Sequence, residues 1–436
     1  MKVLILSGVP IRTDTNSGKT LQTLFSGFAK NELAQLYFSP EKPNIDMCES
    51  YYQICEKQML KSCFGLLKNR CGGTVVPSAA GAERNKTERN ALKLTKNKRT
   101  IFVRLARECV WSITHWDNAK LKMWLQQEKP DVIFAIMQDT NGAIKALRSI
   151  AKATNCKIIL YITDDYYNDP ENSRNFLRKL YYKQRKNLYA DIKKSLCAVI
   201  GCSEKITAYF KAQLQFEGPT ATVYTPAAAM YTCLPYKTQD QNSLVTIRYF
   251  GNLGLGRWQL LKQLGLTVQK INSGGKKAIL EVYSSDMDPD THKALTIENG
   301  CIYKGWVHGQ EYYALLQNAD IAVHVESFEQ ENIRRTWGSI STKIADYLGA
   351  GKCILAIGPL ALASIDHIQE VSCVVSDLTD LQSKLETLIL DAEKRTELQL
   401  QARSLANRAH DLESTKMYVR CIVQDAVKHT RGPADL

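Results

Sequence analysis

Four short stretches of this sequence carry residue types and spacings that could do chemistry. The most informative runs from Ser339 to Pro359, SISTKIADYLGAGKCILAIGP. Ser339 and Ser341 stand where a helix begins, and the free amides and positive dipole end there suit phosphates. Lys343 falls in the first turn and adds a point charge. Asp346, three residues further on, lies near the same face, placed to accept hydrogen bonds from sugar hydroxyls. Gly349 and Gly351 end the helix ahead of an apolar strand. Each residue alone has a plainer use, as a cap or a solvated charge. Their joint occurrence is what points to a ligand.

The other three stretches each leave two readings open. GNLGLGR, Gly251 to Arg257, is a glycine-rich turn after a strand. Gly251 and Asn252 would let backbone approach a ligand, while Arg257 would either neutralise a diphosphate or sit at the surface. Its glycine order, G-x-x-G-x-G, departs from the dinucleotide fingerprint. NSGKT, Asn16 to Thr20, looks like the end of a phosphate-binding loop, yet the position five residues before Gly18 is Thr13, which argues against a nucleotide triphosphatase. Gly18 and Lys19 then belong either to an amide-lined cleft loop or to a polar turn. TDDYYND, Thr163 to Asp169, places Asp164 and Asp165 at the carboxyl end of a strand. That pair would orient an acceptor hydroxyl or act as a base, or else cap the next helix. Gln138 and Asp139, after the preceding strand, are further candidates.

The elements that must position these residues alternate. Apolar runs at Lys2–Ser7, Leu33–Phe38, Asp131–Met137, Lys157–Ile162, Ala198–Cys202 and Ala221–Tyr224 predict strands, separated by helical patterns such as Gly142–Ala153 and Asn172–Asp191. Residues 45 to 66 read as a helix. The second half repeats the scheme, with strands at Thr246–Phe250, Ala278–Tyr283, Ile321–Val325, Cys353–Ile357 and Cys373–Ser376. Alternation of this kind means parallel sheets covered on both faces, with ligands at the carboxyl ends of the strands. The predicted organisation is a Rossmann-like α/β domain over 1–225, a polar linker over 226–243, a second Rossmann-like domain over 244–411, and a last helix in 412–436 that returns to the first domain. Two such sheets facing a cleft share the site.

Size and composition agree with this. A chain of 436 residues exceeds one ordinary core and predicts about two domains. No apolar stretch reaches the length of a membrane-spanning helix, and MKVLILSGVP reads as a buried first strand because polar turn residues follow it. The thirteen cysteines are odd in number and scattered, which favours a reducing compartment over a disulfide framework or a zinc site. The net charge of +13 is uneven: fourteen Lys or Arg against four Asp or Glu lie between Lys61 and Leu125. Within that region the pattern breaks over 68–99, a basic insertion. A helical stretch, Ile101 to Trp116, then sets an apolar and aromatic face beside Arg104 and Arg107. Residues 68–116 are therefore expected to meet an anionic membrane surface. No nucleic-acid-binding module is recognisable.

The last quarter of the chain also carries a resemblance. Ser341, Lys343, Asp346, Tyr347, Leu348 and Gly351 are similar to the donor-binding motif of retaining GT-B glycosyltransferases, in particular glycosyltransferase family four and its capsule and cell-surface polysaccharide members. The resemblance implies that Asp346 binds the nucleotide ribose, that Arg257 and Lys343 neutralise the diphosphate, and that the backbone of Val307, after Gly305-Trp306, meets the nucleobase. It implies no metal or cofactor beyond the nucleoside diphosphate sugar itself. One departure matters. The family's first glutamate falls on Gly338 and its second is Asp346, which leaves Glu326, Glu329 or Glu331 to fill the vacant role.

The expectation is thus a cytoplasmic GT-B glycosyltransferase, peripheral to the inner face of the cell membrane. It would move a sugar, with retention, to a saccharide or polyprenyl-linked acceptor in surface polysaccharide synthesis. Two rivals stand beside it: a nucleotide-sugar epimerase of the same fold, and a non-catalytic sugar or membrane adaptor.

Overall fold

The computed structural model describes residues 1–63, 71–78, 101–228, 231, 243–285 and 288–430. Most of the basic insertion and of the proposed linker lies outside them. The chain divides into two compact units, Met1–Val223 with Glu413–Leu436, and Tyr224–Leu412.

Among the described residues the N-terminal unit holds an eight-stranded sheet in the order β4-β3-β2-β1-β5-β6-β7-β8. The strands are β1 Val3–Ser7, β2 Leu33–Tyr37, β3 Ser50–Gln53, β4 Gly73–Thr74, β5 Val132–Ile136, β6 Lys157–Ile162, β7 Leu196–Gly201 and β8 Thr220–Thr222. All pairings are parallel except β3 with β4. The central strands are apolar without alternation, and every residue of β1 is buried, as a sheet covered on both faces requires. Several of the helices between them start on side-chain caps: Thr15, Thr140, Asn175 and Ser203 each accept a backbone amide of the following first turn.

The C-terminal unit holds a six-stranded sheet, order β11-β10-β9-β12-β13-β14. Its strands are β9 Val245–Phe250, β10 Ala278–Tyr283, β11 Cys301–Gly305, β12 Ile321–Val325, β13 Cys353–Ile357 and β14 Cys373–Val375, all parallel. An apolar cluster fills each side of it.

Three elements differ from the sequence reading. The described part of the stretch read as one helix, 45–63, holds a strand, Ser50–Gln53, followed by a short helix, Glu56–Cys63; residues 64–66 lie outside the described residues. Tertiary contacts decide this: Tyr51 and Tyr52 are buried, and the Tyr51 hydroxyl takes the amides of Met47 and Cys48 while donating to the Ile45 carbonyl. Strand β11 lies at a sheet edge, where exposed and buried residues alternate too weakly to announce it. The loop after β12 contains a helix, Gln330–Thr336, whose Asn332 side chain ties back to Ser327 and Glu329. No helix among the described residues is long and apolar enough to cross a membrane.

Candidate functional site

Both sheets reverse their winding at one point, and loops leaving the strands there form the crevice in which open α/β sheets bind ligands. In the C-terminal unit that point lies between β9 and β12. The loop after β9 is folded on itself: the Tyr249 hydroxyl donates to the Asn252 carbonyl at 2.6 Å, and the Asn252 side chain accepts the Gly254 amide at 2.6 Å. Leu255 and Gly256 both take positive φ, 58° and 76°. Gly256 has a second reason to lack a side chain, because a Cβ there would lie 2.7 Å from Ser327 Oγ. Asn252, through its carbonyl and side chain, thus ties a fixed turn that follows Gly251 and leads into the Arg257–Ile271 helix.

Arg257, the first residue of that helix, faces inward. Its Nε donates to the Val325 carbonyl at 3.1 Å, and Nη2 donates to both Glu326 carboxylate oxygens at 3.1 and 2.9 Å. Glu326 is buried; burial raises its pKa and Arg257 pulls it back. His324, two residues earlier on β12, brings Nε2 to 3.7 Å from the same carboxylate. Burial, then the nearby guanidinium, push its pKa down to about 3, so the imidazole is neutral. The sequence reading gave Arg257 to a diphosphate; the structure gives it a carboxylate. Glu329 is held by Asn332 and Glu331 by Arg335, at 2.8 and 2.6 Å. Of the three glutamates, Glu326 alone is buried.

Ser339 lies between the Gln330–Thr336 and Thr342–Gly349 helices, and its amide donates to the Thr336 carbonyl. Ser341 caps the second helix, its Oγ accepting the Lys343 amide at 3.4 Å. Lys343 and Asp346 come together one turn on. The Lys343 ammonium is 3.9 Å from the Tyr312 ring centre and 3.9 Å from Asp346 Oδ2, and the Tyr312 hydroxyl donates to that oxygen at 2.8 Å. Burial and the Asp346 charge raise the Tyr312 pKa well above its ordinary value, which keeps the phenol a donor. Both charged side chains are partly exposed, 26% for Lys343 and 19% for Asp346. Val307 packs against the apolar cluster that contains Tyr312, Tyr347 and Phe250. Tyr312 and His324 were not singled out in the sequence, where they stand in EYYALL and IAVHV without a motif around them.

In the N-terminal unit the reversal lies between β1 and β5. Here the furnishings are amides. Gln35 Nε2 donates to Ser7 Oγ and its Oε1 accepts the Ile11 amide, which fixes the loop after β1. Gln138 lies beside Gly8, whose added Cβ would meet Gln138 Oε1 at 3.4 Å. The reading of Gly18 as an amide-bearing loop residue meets a structural reason instead. Gly18 is buried inside the Asn16–Leu24 helix, and a Cβ would press on Thr15 Oγ1 and the Arg12 backbone at 2.5 to 2.8 Å. Lys19 is exposed one residue on.

The carboxylate pair splits in two. Asp165 accepts the amides of Tyr167 and Asn168 and the Asn168 side chain, so it builds the turn. Asp164 is half-buried beside the Thr163 and Tyr166 hydroxyls, each 3.3 Å from Oδ2, and its charge is the main cause of the strongly raised Tyr166 pKa. Behind them stands Arg185, 1% exposed. It donates to the Asp139 and Tyr166 carbonyls, to Asn141 Oδ1 at 3.0 Å and to the Tyr181 hydroxyl at 2.8 Å. One buried arginine thereby holds the loops after β5 and β6. Among the described residues no group of three or more His, Cys, Asp or Glu could hold a metal ion.

A doubly wound sheet in each of two units is the GT-B fold, and comparison with solved structures agrees. The chain is similar to Anabaena HepE in complex with UDP-glucose, at 14% identity, with 98% of this chain and 100% of that one covered and a TM-score of 0.58. It is similar to a sucrose-phosphate synthase from Thermosynechococcus elongatus, at 11% identity, 98% and 99% coverage and a TM-score of 0.58. A UDP-forming α,α-trehalose-phosphate synthase from Burkholderia xenovorans in complex with glucose-6-phosphate matches at 8% identity, 98% and 100% coverage and 0.60. Residues 257–417 match the family model described as glycosyl transferase-like. No curated protein matches the sequence.

Proposed function

We propose that this protein is a glycosyltransferase that takes a sugar from a nucleoside diphosphate sugar, held by the C-terminal unit, and passes it to a saccharide or lipid-linked acceptor held by the N-terminal unit. The observation that carries this is the start of the Thr342–Gly349 helix. A capped amide end, the partly exposed Lys343 ammonium and the Tyr312–Asp346 pair lie together within one turn. Departure of a nucleoside diphosphate from an oxocarbenium-like centre places negative charge on phosphate, and preorganised positive groups stabilise it most where water is scarce. Lys343 and the helix end supply that charge. Asp346, braced by Tyr312, is the acceptor for ribose hydroxyls, and Val307 lies at the base. Arg257 joins once phosphate oxygens replace the Glu326 carboxylate. On the acceptor side Asp164 is the candidate base, with Gln138 orienting hydroxyls.

Anomeric retention, a role in surface polysaccharide synthesis, independence of metal and residence at the cytoplasmic face of a membrane through residues 68–116 complete the reading. The UDP-sugar bound by the similar Anabaena chain supports a uridine donor.

A thermal-shift screen against nucleoside diphosphates and their sugars tests it, since a ligand of the folded state raises its apparent stability. UDP and one UDP-sugar should raise the melting temperature; no shift with any nucleotide would sink the reading. An NMR time course of the first-formed linkage tests retention, and release of a free isomerised nucleotide sugar would mark an epimerase.

A further inference from the structure

The Ile101–Ile113 helix has two apolar sides. One faces the N-terminal unit, where Ile101 packs on Tyr181 and Tyr182 and Trp111 is buried. The other is a stripe of Phe102, Ala106, Cys109 and Ile113, spaced four, three and four residues apart, which sets them on one line along the helix. All four are exposed, Phe102 by 70% and Ile113 by 63%. A helix at a protein surface ordinarily keeps its apolar residues on a single face. The Phe176–Lys193 helix packs beside it and adds Phe176 and Leu180, exposed by 75% and 53%, one turn apart at its N-terminal end.

Positive charge surrounds these apolar groups. Lys179, Lys183 and Lys186 are exposed along the second helix. Three residues past Ile113, Trp116 begins a groove lined also by Lys145, Arg148, Lys152, Asp191 and Lys194. Asp191 pairs with Arg148 at 2.6 Å and Lys145 lies 3.9 Å from Glu108. Lys152 and Lys194 have no ion-pair partner among the described residues.

We propose that this face, formed by the Ile101–Ile113, Asn141–Thr154 and Phe176–Lys193 helices, docks on a bilayer that carries anionic phospholipid. The apolar stripe enters the interfacial layer and the groove takes headgroup phosphates. The combination selects the partner. Aliphatic and aromatic side chains level with lysines gain from an interface that is apolar below and anionic above. A nucleic acid offers nothing to Ile113 and Leu180, and a two-fold dimer through this face would bring one set of lysines towards the other. The inference rests on the membrane residence proposed above; its residues belong to the N-terminal unit and the nucleotide residues to the C-terminal one, so its failure leaves the donor reading standing.

The test is co-sedimentation of the full chain with vesicles of phosphatidylcholine alone or mixed with phosphatidylglycerol. Binding should require phosphatidylglycerol and weaken with salt. Lys152→Glu with Lys194→Glu should lower it by about tenfold or more, and Phe102→Gln with Ile113→Gln should lower it as well. An unchanged thermal shift with UDP certifies that each variant is folded. Alkylation adds a local readout: vesicles should protect Cys109 but not Cys421, which is also exposed, in the last helix. Absence of vesicle binding, binding indifferent to both double variants, or an unprotected Cys109 would each overturn the proposal. So would displacement from vesicles by millimolar glycerol phosphate, which would make the ligand a soluble phosphate. A dimer that the apolar variants dissociate would overturn it too, by making the occupant a second copy.

Discussion

The two sheets reverse their winding in the same way, yet their crevices are furnished with opposite chemistry. Between β9 and β12 stand an arginine, a buried glutamate and a neutral histidine, with Lys343 and Asp346 on the helix start beyond them. Between β1 and β5 stand two glutamines, a serine and glycines. The N-terminal unit does possess a buried arginine, but Arg185 points its donors at carbonyls, an amide and a phenol, and fixes loops. Under the proposed function, topology sets where a ligand sits and the side chains at the reversal set which ligand: hydroxyls for amides, phosphates for exchangeable charge.

That contrast can be broken by experiment. Arg185→Ala removes donors from several buried acceptors and should destabilise the protein by about 3 kcal/mol, read by denaturant titration, with UDP affinity unchanged in the folded fraction. If UDP binding vanished while stability held, the arginine would belong to a ligand. Lys343→Ala should do the reverse, weakening UDP by about 30-fold, or about 2 kcal/mol, with little change in melting temperature; calorimetry decides, and equal affinity removes Lys343 from the donor site.

Acid should also separate the units. The three histidines whose pKa is depressed by burial, His324, His367 and His410, at about 3, 3 and 4, all lie in the C-terminal unit. On unfolding they would take up protons near pH 6.5, whereas folded they stay neutral. Their stabilisation is therefore full above that pH and declines as pH falls towards the folded values. Each should contribute a loss of about 1 kcal/mol between pH 7 and 5.5, and hydrogen exchange should show the C-terminal sheet opening first. The smallest effect is expected from Glu326→Gln. Weakening the carboxylate's hold on Arg257 should tighten UDP about threefold, under 1 kcal/mol; weaker binding would show that the pair supports the site as it stands.

Legibility in the sequence followed the range of the interaction. Strand and helix alternation is local and periodic, so both sheets could be read, while β3 and β11 escaped because SYYQ and CIYKG lack a decisive pattern. The Ser341–Lys343–Asp346 spacing spans one helical turn and was readable for the same reason. The Arg257–Glu326 pair joins residues far apart in sequence, and nothing near either one announces the other. Arg185 sits among lysines on a long helix and reads as one more solvated cation until Asn141, Tyr166 and Asp139 close around it. Asp165 illustrates the opposite error: two adjacent carboxylates suggested chemistry, and one of them makes a turn.

The last helix, Leu412–Thr430, belongs to the unit that contains the first strand. Arg420 reaches Glu32 with two bonds of 2.8 and 2.9 Å and the Gly27 carbonyl at 3.0 Å, and Gly27 leaves no room for a side chain larger than hydrogen against Lys416 without displacement. On a ribosome the consequence is a reversal of order. The C-terminal unit is continuous and can close as soon as residue 412 has emerged, whereas the N-terminal unit, translated first, waits for the final helix to cover it. A nascent chain arrested before that helix would carry a finished C-terminal unit and an unfinished N-terminal one, exposed to proteases and chaperones until the helix emerges.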